Sequence, residues 1–176
     1  MLPQEIQTRL QSRFALGVSG GNLEAIDPWI EVAASALPEV CRFLRDEPDL
    51  RFEMLNCISG VDYFEPEAKK AAKVTWQPHV ELLYHLSSLT HHHRIILKVM
   101  LPRWKDDLPG QPPEAPTVSG IWATANWHER EVFDLMGVSF SGHPDLRRIL
   151  CAEDWVGFPL RKDYQVPLEY HGIRVR

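Results

Sequence analysis

The sequence predicts an α+β domain: a mainly antiparallel sheet covered by helices on one face, followed by a long extended C-terminal tail. Three observations lead there. Runs 79–90 and 92–102 are apolar and strand-like and are divided only by a polar break. Helical spacing of apolar residues appears in separate stretches near 4–14, 38–47 and 119–136. The stretch 138–176 is punctuated by Pro144, Pro159 and Pro167, which bars long helices. Strands grouped apart from helices are the α+β pattern.

Taken in order, Ile6, Leu10 and Phe14 repeat every fourth residue and predict a short amphipathic helix, broken by Gly17, Gly20 and Gly21. The stretch GVSGG lacks the lysine and hydroxyl residue of a phosphate loop and reads as a flexible turn. Residues 29–33 predict a strand. Pro38 then opens a helix with Val40, Phe43 and Leu44 on one side. Three strands follow, in 51–64, 79–90 and 92–102, the last two as an antiparallel hairpin. Residues 102–117 hold five prolines and read as a loop. A helix is expected over 119–136, stopped by Gly137. This divides the chain into an α+β domain, 1–137, and an extended docking tail, 138–176.

Composition narrows the function. The chain has 176 residues, 44% of them hydrophobic, enough for a core. Its net charge of −5 argues against nucleic-acid binding over a broad basic surface. Three widely spaced cysteines with no C-x-x-C fit a reducing compartment and predict no iron–sulfur cluster held by this chain alone. No window approaches the roughly 20 apolar residues of a spanning helix, so membrane association is expected through partners. His91, His92 and His93 alternate faces in a strand and predict a solvated hairpin end, not a metal site.

The stretch NWHEREVFD, 126–134, carries the densest chemistry. On a helical wheel Trp122, Ala125, Val132, Phe133 and Met136 share one face, with Glu129 at its centre. Arg130, Trp127 and Asp134 share a flank, and Glu131 points away. A carboxylate on a buried face needs a partner or a proton. Arg147, Arg148 and Arg161 are the candidate partners of Glu129, and Arg130 can pair with Asp134 one turn on. Two readings fit: a structural ion-pair knot, or a small hydrolase with Glu129 and His143 as its acid and base.

A longer pattern runs through this region. Glu129, Arg130, Glu131, Asp134, Leu135, Met136, His143, Arg147, Ile149 and Leu150 occur in EREVFDLMGVSFSGHPDLRRIL. Gly157, Pro159, Leu160, Arg161, Lys162 and Asp163 follow in EDWVGFPLRKDY. Together they closely resemble the 30-kDa subunit family of respiratory complex I, the C subunits of NADH-quinone oxidoreductase. Loop 102–117 is richer in proline than that family's, and Tyr164-Gln165 stands where the family often has an aromatic and a proline.

The resemblance implies a non-catalytic subunit of the peripheral arm of a proton-translocating NADH-quinone oxidoreductase. Its place is on the cytoplasmic side of the bacterial plasma membrane, packed against the larger quinone-site subunit and cluster-bearing neighbours. No cofactor is expected in this chain, while FMN, iron–sulfur clusters and quinone belong to the assembled complex. It casts Glu129, Arg130, Glu131, Asp134, His143, Arg147, Arg148, Arg161, Lys162 and Asp163 as structural and interface residues. The alternative is the equivalent subunit of a membrane-bound hydrogenase, an F420H2 dehydrogenase or a ferredoxin-quinone complex.

Overall fold

The computed structural model describes residues 1–175. Helix α1, Pro3–Arg13, starts on a proline, and the Glu5 carboxylate accepts the Leu2 N–H at 2.7 Å. Eleven residues are too few for a helix to persist alone in water. Docking holds it: Ile6 and Leu10 are completely buried, each contributing about 1.5–3 kcal/mol. Helix α2, Leu37–Asp46, buries Leu37, Val40, Cys41 and Leu44. Phe43 meets Phe14 edge-on, with ring centroids 5.7 Å apart.

The strands β1 (Val18–Asn22), β2 (Trp29–Val32), β3 (Met54–Tyr63), β4 (His79–Ser88) and β5 (His93–Pro102) form one sheet in the order β1-β2-β5-β4-β3. All neighbours are antiparallel except β2 and β5. In β4, Val80, Leu82, Tyr84 and Leu86 face the buried side. On the opposite side Glu81 accepts a 3.0 Å hydrogen bond from Lys98, whose ammonium lies 4.1 Å from the Trp29 ring centroid.

Two expectations change here. GVSGG contributes most of edge strand β1 and is not a free turn. Gly21 makes this pairing fit, since a Cβ there would collide with the Trp29 carbonyl oxygen. The histidine cluster is only in part a solvated hairpin end: His91 and His92 are exposed on the turn, while His93 is turned inward as a latch. His93 is buried with Nε2 2.7 Å from the Leu50 carbonyl, and His91 Nε2 is 2.8 Å from that of Pro48.

A short helix α3, Ala68–Ala71, lies between β3 and β4. The proline-rich stretch contains β6, Glu114–Pro116, which pairs in parallel with β7, Ser139–Ser141. Between them helix α4 spans Ala125–Met136. The expected helical segment before it is a run of turns instead. The Trp122 indole donates to the Phe52 carbonyl at 2.9 Å, and the Thr124 hydroxyl to that of Leu55 at 3.1 Å. These tertiary bonds fix the approach and delay the helix. Gly137 ends α4 in the left-handed region, φ 64°. Val138 and Phe140, just beyond it, belong to the core. The remaining chain is irregular apart from a small hairpin of β8, Glu169–Tyr170, and β9, Ile173–Arg174.

Candidate functional site

The charged residues of the two motifs gather where the chain after β7 crosses the C-terminal half of α4. Asp134 is completely buried. Its Oδ2 accepts the backbone N–H groups of Ile149, Leu150 and Cys151 at 3.0, 2.7 and 2.9 Å. Its Oδ1 accepts a 2.7 Å bond from Arg148, which also donates to the Gly157 carbonyl at 3.0 Å. Burial alone would raise the Asp134 carboxyl, but the three N–H donors and Arg148 hold it below the usual carboxylate range. The helical pairing of Arg130 with Asp134 is therefore not made. Arg130 turns to the Arg147 carbonyl at 3.3 Å and lies 5.0 Å from the Trp127 ring centroid.

A second knot holds the GFPLRKD element. Arg103 grips Asp62 through Nε and Nη2, both at 2.9 Å, and Asp163 through Nη1 at 2.9 Å and Nη2 at 2.6 Å. Asp62 also accepts the Lys162 backbone N–H at 2.9 Å. Arg161 donates to the Met136 carbonyl at 2.6 Å, and its guanidinium lies 4.3 Å from the Trp104 ring centroid. The Arg103 hydrogen bonds and charge hold the Asp163 carboxyl low. Asp62 and Arg103 escaped the sequence reading. Ile58, Gly60 and Asp62 alternate onto the inward face of β3, so an acid at an inward strand position was the available signal.

Glu129 stands apart from both knots. It is 0% exposed, yet neither Arg147, Arg148 nor Arg161 pairs with it. Its partners are the Val118 N–H at 2.7 Å and the Thr117 hydroxyl at 2.5 Å. The wheel placed Glu129 correctly on the buried face. The arginines are engaged elsewhere by backbone carbonyls and by other acids. Burial pushes the Glu129 carboxyl up to about 7, against the pull of its two donors.

His143 lies 3.9 Å from Glu129, with its side chain also 0% exposed. Its Nδ1 accepts the Asp145 N–H at 3.0 Å, so Nε2 carries the hydrogen and donates to the Asn126 carbonyl at 3.1 Å. Both ring nitrogens are thus engaged by backbone groups. Beside them lies an open groove of about 710 Å³, lined by Arg42, Thr117, Ser119, Asn126, Trp127 and Pro144 among others.

Other motif residues face outward. Glu131 and Lys162 are exposed, and Arg147, 71% exposed, pairs only with Asp145 at 3.0 Å among the described residues. The crossing segment also carries exposed aliphatics: Leu150 at 62%, Val156 at 86%, Leu168 at 75% and Ile173 at 70%. Among the described residues no helix is long and apolar enough to cross a membrane. No group of three or more His, Cys, Asp or Glu among them is placed to hold a metal ion.

Known proteins share this design. The family described as "Respiratory-chain NADH dehydrogenase, 30 Kd subunit" matches residues 30–170. The C subunit of NADH-quinone oxidoreductase from Chlorobium phaeobacteroides is 42% identical over 167 residues, covering 94% of this chain and 90% of that protein. The C 2 subunit from Rhizobium meliloti is 43% identical, covering 85% of this chain and 75% of its own. Among solved structures, a trypsin-resistant fragment of Nqo5 superposes with a TM-score of 0.56 at 27% identity, covering 80% of this chain and 98% of the fragment. A chain of the membrane-bound sulfane sulfur reductase, an archaeal respiratory membrane complex, shares the fold with a TM-score of 0.68 at 24% identity, over 92% of this chain and 85% of that one. With most of its length matched by the family and by these relatives, this chain belongs to the 30-kDa subunit family of respiratory-chain NADH dehydrogenase.

Proposed function

We propose that this chain is a non-catalytic subunit of the peripheral arm of a proton-translocating NADH-quinone oxidoreductase. It sits on the cytoplasmic side of the plasma membrane and packs against the larger quinone-site subunit. Its docking tail, 138–176, meets that partner and its cluster-bearing neighbours. FMN, iron–sulfur clusters and quinone are held by other subunits, and this chain supports their assembly.

The observation that carries this reading is the clamp of Asp134 on Ile149, Leu150, Cys151 and Arg148. The motif's charges Asp134, Arg148 and Arg161 are engaged by the chain's own backbone and acids, which supports a structural role. What the clamp achieves is presentation: a stretch without regular structure is held in one path with Leu150, Val156 and Leu168 outward. Exposed aliphatics on a fixed path suit a partner surface.

The test is a native pull-down. The chain is tagged in its own host, extracted in mild detergent, and its companions are identified by mass spectrometry. Flavin- and cluster-bearing subunits with NADH-quinone reductase activity are expected. Recovery of hydrogenase or ferredoxin-linked subunits would keep the assembly role and replace the reaction. A chain that purifies alone would overturn the role itself.

A further inference from the structure

Glu129 takes no part in fixing the tail, and among the described residues no lysine or arginine forms an ion pair with it. Facing it are the Cys41 thiol from α2, the Tyr84 phenol from β4, the His143 imidazole, and the Thr117–Ser119 turn. The Tyr84 hydroxyl has no hydrogen-bond partner among the described residues, and burial raises both Cys41 and Tyr84 above their usual ranges. The His143 Nδ1 accepts a backbone N–H and its Nε2 is turned to the Asn126 carbonyl. Arg130, next along α4, is turned to Trp127, and Arg42 lies exposed on the groove wall without an ion-pair partner among the described residues. A fully buried carboxylate among neutral groups holds a proton more readily than one in water.

A path for that proton is present. Thr117 Oγ1 lies 2.5 Å from Glu129 Oε2 and 2.8 Å from Ser119 Oγ, and it accepts the Ser119 N–H at 3.1 Å. Thr117 and Ser119 both line the groove. We propose that Glu129 is a proton-binding site wired to the groove by the hydroxyls of Thr117 and Ser119, whose direction reverses when the proton arrives.

With Glu129 ionised, Thr117 donates to the carboxylate and Ser119 donates to Thr117. Ser119 then shows lone pairs to the groove. With Glu129 neutral, the carboxyl O–H donates to Thr117, Thr117 donates to Ser119, and the Ser119 O–H faces the groove. One proton enters from groove water; each hydroxyl receives one and passes one on, so nothing else is consumed. Throughout, Oε1 continues to accept the Val118 N–H, so both states satisfy every partner. The proton on Glu129 therefore decides whether the groove floor offers a donor or an acceptor. The upward displacement of the Glu129 carboxyl to about 7 puts this change at neutral pH.

The test is a ¹³C NMR titration of the full chain labelled at the glutamate side-chain carboxyl carbons. One resonance is expected to titrate near neutral pH, to vanish in Glu129→Gln, and to move upward by roughly half a pH unit or more in Thr117→Val, which removes a donor that favours the anion. Thr117→Val retains the carboxylate, so it identifies the resonance even where the Gln variant fails to fold. If every glutamate titrates below about pH 5.5, near the ordinary range, the site is overturned. A midpoint unmoved in Thr117→Val overturns the hydroxyl connection.

Discussion

Arg103 binds Asp62 as a two-pronged fork, with both hydrogen bonds at 2.9 Å and the Asp62 side chain fully buried. Removing one partner leaves a buried charge uncompensated, which costs about 3–5 kcal/mol. Arg103→Ala is expected to lose that much in urea unfolding, and Asp62→Ala less, because Arg103 keeps its two bonds to Asp163. Because the two residues share one contact, the double variant should lose far less than the sum of the singles. Additive losses would show that the fork contributes little.

Asp134→Ala removes the acceptor of three backbone N–H groups and of Arg148. Each orphaned buried donor costs about 1–3 kcal/mol, and the other bonds that tie the segment after β7 to α4 lie outside residues 149–151. Amide exchange should quicken at 149–151 well before it quickens in β4 and β5. Uniform exchange throughout the chain would count against a local clamp.

Gly137→Ala meets two obstacles. Its φ of 64° disfavours a side chain, and a Cβ there would collide with the Phe158 ring. The left-handed conformation alone costs roughly 1–2 kcal/mol, and the displaced ring adds to it. A thermal melt lowered by several degrees is expected, together with loss of the Phe158 contact seen by NMR.

Glu129 sets a pH dependence of known sign. Its folded carboxyl titrates near 7 against an ordinary 4.5, so the native state holds a proton that the unfolded chain gives up. The stabilisation is fully present below the unfolded value and is lost as pH rises through about 7. Its limit is roughly 3 kcal/mol, from the free-energy value of a pKa unit. Asp134 and Asp163, held low, act oppositely and lose stability as pH falls through their folded values. The readout is therefore wild type minus Glu129→Gln across about pH 4.5–8, the window that spans both values. A difference independent of pH would contradict it.

The outward aliphatics offer a separation of folding from assembly. Leu168→Asp alters a side chain 75% exposed and should shift stability by no more than about 0.5 kcal/mol. Recovery of assembled complex is expected to fall, with turnover per assembled complex unchanged. Normal amounts of assembled but inactive complex would contradict the docking assignment.

The main sheet and helices were legible because their periodicity is local. Val80, Leu82, Tyr84 and Leu86 alternate, and Glu129 falls on the buried face of α4 by simple geometry. Strand β1 was not legible, since Ser19, Gly20 and Gly21 have low strand propensity, and Gly20 and Gly21 pair only because Glu31 and Ile30 lie against them. The start of α4 was misplaced because Trp122 and Thr124 answer to Phe52 and Leu55, partners that no local pattern reveals. The partners of Arg148 and Arg161 depended likewise on chain crossing. An arginine's type says that it wants an oxygen, and only topology says which one.

The Asp62 cluster also constrains the order of events at the ribosome. Asp62 is translated long before Arg103, and Lys162 and Asp163 follow much later still. A nascent β3 whose sheet closed early would have to shelter an unmatched anion. Translation at roughly 5–20 residues per second leaves that interval open for seconds. Final closure of this edge therefore waits until Lys162 and Asp163 have emerged, so a chain truncated before Lys162 would carry its flaw at the edge of its sheet, far from the missing residues in sequence.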